Sequence, residues 1–97
     1  MARYISLIRF TDQGLRNIKE TIKRHEASMG EAEKMGMKII DAFWKMGAYE
    51  VVVLLDAPDD ETMSAFALKV SLLGSVKTHT MRAFHRKEME SVLAKIK

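Results

Sequence analysis

The sequence predicts an α+β domain: a four-stranded antiparallel sheet with two helices on one face and a short helix at the C-terminus. Three observations carry that prediction. Arg3–Phe10 and Tyr49–Leu55 are rich in aliphatic, aromatic and β-branched residues on both alternations, which marks strands covered on both faces. Met37–Lys45 and Ser75–Phe84 interleave charged and polar residues with apolar ones, which suits sheet edges. Two intervening stretches carry apolar residues at three- and four-residue spacing, as amphipathic helices do. The order β-α-β-β-α-β is that of split βαβ units, which close with both main helices on the same face.

The first strand, Arg3–Phe10, ends at Thr11-Asp12-Gln13-Gly14, where Thr11 or Asp12 can cap a helix by accepting a bond from an orphan N–H. The first helix is expected from about Gln13 to His25 and beyond. Its buried stripe is read as Leu15, Ile18, Ile22, His25 and Met29, with Arg16, Lys19, Glu20, Lys23 and Arg24 on the other side. Glu20 and Arg24 are spaced for a favourable pair. Gly30 is expected to interrupt the helix, and Glu31–Met35 to form a short second piece stopped at Gly36. The second strand, Met37–Lys45, runs through a turn at Gly47 into the third, Tyr49–Leu55; the turn calls for positive φ at Gly47. Pro58 and the acids Asp59, Asp60 and Glu61 suit the first turn of the second helix. Met63, Phe66, Ala67, Val70 and Leu73 form its stripe, and Gly74 its stop. The fourth strand, Ser75–Phe84, leads to a final amphipathic helix over Arg86–Ile96.

Composition narrows the function. With 97 residues there is room for one domain, residues 1–97, and a chain of this size buries only about 60–65% of its unfolded surface. The absence of cysteine excludes disulfides, zinc–thiolate sites and cysteine nucleophiles, and makes a cytoplasmic setting the expectation. No signal peptide is recognised, and the longest apolar run, about five residues, falls far short of a membrane span, so no membrane partner is expected. Sixteen basic and thirteen acidic residues give a net charge of +3, intermixed rather than clustered. RNA-recognition motifs share the strand and helix order, but Tyr49–Leu55 lacks their basic-aromatic pattern, so nucleic acid is not expected.

With both main helices on one face, the other sheet face is bare, yet the first and third strands place Val, Leu, Ile and Tyr on it. A bare apolar face of several hundred Å² exceeds what soluble monomers usually show. The simplest cover is a second copy, in a homodimer or a higher homo-oligomer.

Several segments resemble the GYD domain family. They are Tyr4-Ile5, Phe10-Thr11-Asp12-Gln13-Gly14, Asn17-Ile18-Lys19, Trp44-x-Met46-Gly47-x-Tyr49, Ala57-Pro58-Asp59-Asp60-Glu61, Leu73-Gly74 and Arg82-Ala83-Phe84. Glu50 stands where the family name has an aspartate, and Glu20-Thr21-Ile22-Lys23-Arg24 lacks a proline associated with the family. The resemblance implies a ferredoxin-like fold of the dimeric α+β barrel group and no established activity.

No catalytic or metal-binding motif stands out, and no cofactor is implied. His25 is read as a partly buried helix residue, and His79 and His85 flank the last strand without a nucleophile beside them. The candidate ligand-binding residues are Asn17, Trp44, Tyr49, His79 and Arg82, at the edges of an aliphatic core. Arg82 favours a small anionic ligand; the alternative is an ion pair with Glu50 or Asp56 across a subunit boundary. Gly14 and Gly47 are read as backbone devices. The first functional reading is a homo-oligomeric small domain that binds a small molecule or serves as an accessory subunit. The second is an enzyme that uses the barrel pocket, such as a cofactor-free oxygenase or isomerase.

Overall fold

The computed structural model describes residues 1–97. Its strands are β1 (Ala2–Phe10), β2 (Lys38–Trp44), β3 (Val51–Ala57) and β4 (Val76–Ala83). Its helices are α1 (Asp12–Arg16), α2 (Thr21–Lys34), α3 (Asp60–Leu72) and α4 (Arg86–Leu93), with a 3-10 turn at Ile18–Glu20. The sheet is antiparallel in the order β2-β3-β1-β4. The two doubly apolar strands are therefore central and the two mixed ones are edges, as expected for a ferredoxin-like fold.

Register assigns the faces. Tyr4, Ser6 and Ile8 of β1 pair with Leu55, Val53 and Val51 of β3. All six point toward the helices, because alternate residues share a face. Leu55, Val53, Val51, Ala57, Tyr4, Met63 and Phe66 form the centre of the core. Full burial of a side chain such as Leu55 contributes about 2–3 kcal/mol. The opposite face carries Ile5, Leu7, Val52, Leu54, Phe43 and Met81. No helix covers it, and Phe43 is exposed.

Two corners of the chain lock together beside the core. The Thr11 hydroxyl caps α1 by accepting from Gly14 N–H at 3.2 Å and donates to the Gly74 carbonyl at 2.5 Å. Thr11 N–H donates to Ser75 O at 3.0 Å, and Gln13 Nε2 donates to Leu73 O at 3.1 Å. Gly14 lies so close that a Cβ there would sit 2.0 Å from Ser75 O. The segment Thr11–Gly14 is thereby fastened to Leu73–Ser75.

The structure corrects several sequence expectations. The first helix breaks at Asn17, not at Gly30, and α2 then runs unbroken through Gly30 to Lys34. Gly36, at φ 72°, does terminate that region. At the break Asn17 donates twice to Gln13 O, through its N–H at 3.1 Å and through Nδ2 at 3.0 Å, the local side-chain bonding by which asparagine competes with a continuing helix. Leu15, Ile18, Ile22 and Met29 are exposed rather than buried. Arg24, placed on the solvent side by the sequence reading, turns inward, and Glu20 pairs with Lys23 instead. Pro58 precedes the helix; the N-cap of α3 is Asp59, which accepts from Thr62 N–H at 2.7 Å. Hydrogen bonding from the side chain and then the backbone of Thr62 holds the Asp59 carboxyl below its ordinary range. The final helix stops at Leu93, and β3 starts at Val51 after a longer connection than a tight hairpin.

Candidate functional site

Helices α2 and α3 stand apart over the sheet and leave a cavity of about 290 Å³ between them. Its floor is mainly aliphatic and aromatic: Ile8, Phe10, Val51 and Val53 from the central strands and Val76 from β4, with the hydroxyls of Ser6 and Thr78 among them. The α3 wall is apolar at Met63, Phe66 and Val70 and carries one charge, Lys69. The α2 wall is mostly polar. Thr21, Arg24, His25, Ser28 and Glu31 recur at three- and four-residue spacing, which puts them on one helical face, and that face lines the cavity. Ile22 and Met29 lie about 100° further round the helix and therefore face outward.

Four of these five polar residues, all but Ser28, are held by a specific contact. Trp44 Nε1 donates to Thr21 Oγ1 at 3.0 Å, and the Trp44 ring meets the His25 ring edge to face at 5.4 Å. Arg24 donates through Nη1 to Asn17 O at 2.7 Å and through Nη2 to Gly14 O at 3.5 Å, with its guanidinium above the Phe10 ring. Glu31 accepts from Lys69 of α3 at 2.7 Å, an ion pair that bridges the two helices. That bond keeps the Glu31 carboxyl below its ordinary range.

The five sequence-predicted site residues do not gather at one place. Trp44 lines the cavity. Asn17 sits at the α1–α2 break, and its carbonyl holds Arg24. Tyr49 and His79 lie together beneath the other sheet face, with ring centroids 6.3 Å apart and Arg9 stacked on Tyr49. Arg82 is at the far edge of the helix face, in a groove with Tyr4 and Asp60. It pairs within the chain with Glu88 of α4 at 2.9 Å and lies over the Phe84 ring. Within the chain Glu50 and Asp56 have other partners: Glu50 Oε1 accepts from Phe10 N–H at 3.2 Å, and Asp56 pairs with Arg3. Hydrogen bonding from Arg82 lowers the Glu88 carboxyl, and hydrogen bonding from Arg3 lowers that of Asp56. The Tyr4 hydroxyl donates to Asp60, and this bond, with burial, pushes its pKa up to about 12. No group of three or more His, Asp or Glu side chains is placed to hold a metal ion.

Sequence reasoning did not single out Thr21, Arg24 and Ser28 as cavity residues. A polar stripe on a helix ordinarily faces water. The available signal was Asn17 itself, a poor helix residue at the point where the first helix breaks.

Comparison with known proteins adds the family. The profile of the GYD domain matches residues 4–93. The chain belongs to the GYD domain family. It is similar to a protein of Thermus thermophilus named glutamine synthetase and cystathionine beta-lyase binding protein. The two are 29% identical over 84 residues, spanning 86% of this chain and 88% of that one. The fold is similar to a crystal structure of a Thermus thermophilus protein, with a TM-score of 0.57 and 21% identity, covering 88% of this chain and 95% of that one.

In this GYD chain the family-like segments have structural work. The Thr11–Gly14 and Leu73-Gly74 pieces are the two halves of the locked corner. In the Trp44–Glu50 piece, Trp44 lines the cavity, and Gly47 turns the chain at φ 100°. Lys45 Nζ ties the loop by donating to Met46 O at 2.9 Å and Tyr49 O at 2.7 Å. Glu50 N–H bonds to Ile8 O at 2.9 Å while its carboxylate takes the Phe10 N–H, which β3 is too short to reach. The longer glutamate side chain thus closes the end of the β1 ladder.

Proposed function

We propose that this GYD-domain protein acts by binding: it assembles as a homodimer through the uncovered sheet face and serves as an accessory partner of another protein. The observation that carries the reading is the apolar sheet face itself. Ile5, Leu7, Val52, Leu54, Phe43 and Met81 form a continuous surface across all four strands. Charged groups border it, among them the Arg3–Asp56 ion pair, Arg9 and Lys77. An apolar centre with a polar rim is the anatomy of a protein interface. A copy related by a two-fold axis would present the same surface, so apolar groups would meet apolar groups. The name of the Thermus relative, a binding protein of two enzymes, supports a protein partner in addition. The helix layer lies on the other side of the sheet and stays free for it in such a dimer.

Sedimentation velocity tests the assembly. The expected result at micromolar concentration is a species of two chains. Val52→Lys places a charge at the centre of the face, opposite Leu7 and Phe43, and should give monomer or aggregate. A compact, stable monomer of the unaltered protein would overturn the dimer reading.

A further inference from the structure

The cavity between the helices and the sheet has an asymmetry that a plain packing gap does not. Its floor and α3 wall are mostly apolar, with Ser6, Thr78 and Lys69 the exceptions, while the α2 wall offers hydroxyls, an imidazole and a guanidinium along one face. No buried side-chain polar atom of the chain lacks a hydrogen-bond partner, so what a ligand could add here is compensation of charge. The charge balance sets the sign of that ligand. Of the charged residues lining the cavity, Glu31 and Lys69 neutralise each other through their ion pair. Arg24 is left, and it is paired with no carboxylate. Two of its five N–H donors go to the carbonyls of Asn17 and Gly14, which carry no net charge. The wall therefore keeps an uncompensated positive charge, flanked by the Thr21 and Ser28 hydroxyls.

We infer that this cavity is a binding site for a small amphipathic carboxylate. The carboxylate is received by Arg24 and the neighbouring α2 hydroxyls, and its apolar body rests on Phe10, Val51, Val53 and Val70. A guanidinium accepts a carboxylate with two parallel bonds, which is why the head group is assigned as planar and anionic. At about 290 Å³ the space lies at the small end of ligand pockets, so the apolar body is a short acyl chain or a single ring system. Trp44, the one tryptophan of the chain, lines the same cavity and reports on its contents. This inference deepens the binding reading above but uses a different face of the molecule, so the two stand or fall separately.

The probes are octanoate and its neutral counterpart octan-1-ol, each titrated into the purified full chain while Trp44 emission is followed. Octanoate should give a saturable change, with octanol about tenfold weaker or more, the ratio expected for a charge-assisted bond. Arg24→Gln keeps a donor for the Asn17 and Gly14 carbonyls but removes the charge, and should bring the two probes to equal affinity. Arg24→Lys should keep the preference for octanoate, which secures the test if Arg24→Gln fails to fold. Ala67→Phe, which fills the cavity from α3, should abolish binding of both probes. Sedimentation of the same samples reads the dimer independently. A dimer with no saturable Trp44 response overturns the cavity site alone; a monomer with carboxylate-selective binding supports it. A preference for octanoate unchanged in Arg24→Gln, or binding unchanged in Ala67→Phe, overturns it.

Discussion

Two glycines near the N-terminal helices should respond to alanine in opposite directions. At Gly14 a Cβ would lie 2.0 Å from Ser75 O and 3.0 Å from the carbonyl carbon. Both obstacles are backbone, so relief requires the corners themselves to separate by more than about 1 Å to restore ordinary van der Waals distances. That movement would break the bonds that join them: Thr11 N–H to Ser75 O, the Thr11 hydroxyl to Gly74 O, and Gln13 to Leu73 O. At about 1 kcal/mol each, these three sum to a loss of about 3 kcal/mol for Gly14→Ala. Gly30 is the counterpart. It lies inside α2, and a Cβ there would meet nothing within 4 Å. Gly30→Ala should therefore gain about 0.5–1 kcal/mol from helix propensity and the smaller entropy of the unfolded chain. Urea unfolding followed by circular dichroism, at one fixed protein concentration, measures both. An unchanged midpoint for Gly14→Ala would refute the close approach. A destabilising Gly30→Ala would mean that α2 is interrupted there.

Gly47 holds φ at 100°, so Gly47→Val should lower stability by about 1–3 kcal/mol through backbone strain, and an unmoved melting midpoint would contradict it. The Tyr4 phenol, raised to about 12 by its bond to Asp60, stabilises the fold fully below the ordinary tyrosine pKa of about 10. That contribution fades as pH climbs from about 10 to about 12, and Asp60→Asn should bring the 295 nm titration of Tyr4 back toward the ordinary value. Asp56 runs the other way. Its folded pKa lies below the unfolded value of about 3.9, so its pairing with Arg3 contributes above that pH and is lost as pH falls through the folded pKa. Arg3→Met should flatten the acid limb of the stability profile, and an identical acid limb would remove the pair from the account.

The parts of the fold that were legible in the sequence rest on short-range physics. Alternation along Arg3–Phe10 and Tyr49–Leu55 reports how many faces a strand buries, and both strands are central. Gly47 and Asp59 announced a turn and a helix start through backbone chemistry confined to a few residues. What failed is the phase of the first helix. Periodicity shows that Leu15, Ile18, Ile22 and Met29 share a face only if the helix is continuous, and the break at Asn17 removes that premise. It also cannot say what covers a face, and here nothing within the chain does. Arg82 illustrates a different limit. Its partner Glu88 is six residues away, but α4 must fold back beside β4 for them to meet, and no local pattern encodes that. Trp44 lines the cavity from the end of β2; Arg24, Thr21 and Ser28 were not legible as cavity residues, since a polar wall inside a core has the same local pattern as a solvated surface.

The amount of surface left open bears on the proposed assembly. The chain exposes 6819 Å², whereas a compact monomer of 11.1 kDa exposes about 5,700 Å². Its radius of gyration is 14.6 Å, against about 12.5 Å for a compact domain of this length. The surplus of about 1,100 Å² compares with the roughly 800 Å² that one subunit contributes to an interface of standard size. One two-fold contact through the sheet face would absorb most of it. The remainder, about 300 Å², is within the range of single apolar patches on ordinary monomers. The exposed residues Leu15, Ile18, Ile22 and Met29 on the helix layer are of that kind. Because they sit on the other side of the sheet, a two-fold contact through the sheet face does not bury them. A dimer would therefore complete the core of each subunit and leave the helix layer, with its cavity and its apolar flank, as the surface that the assembled protein presents.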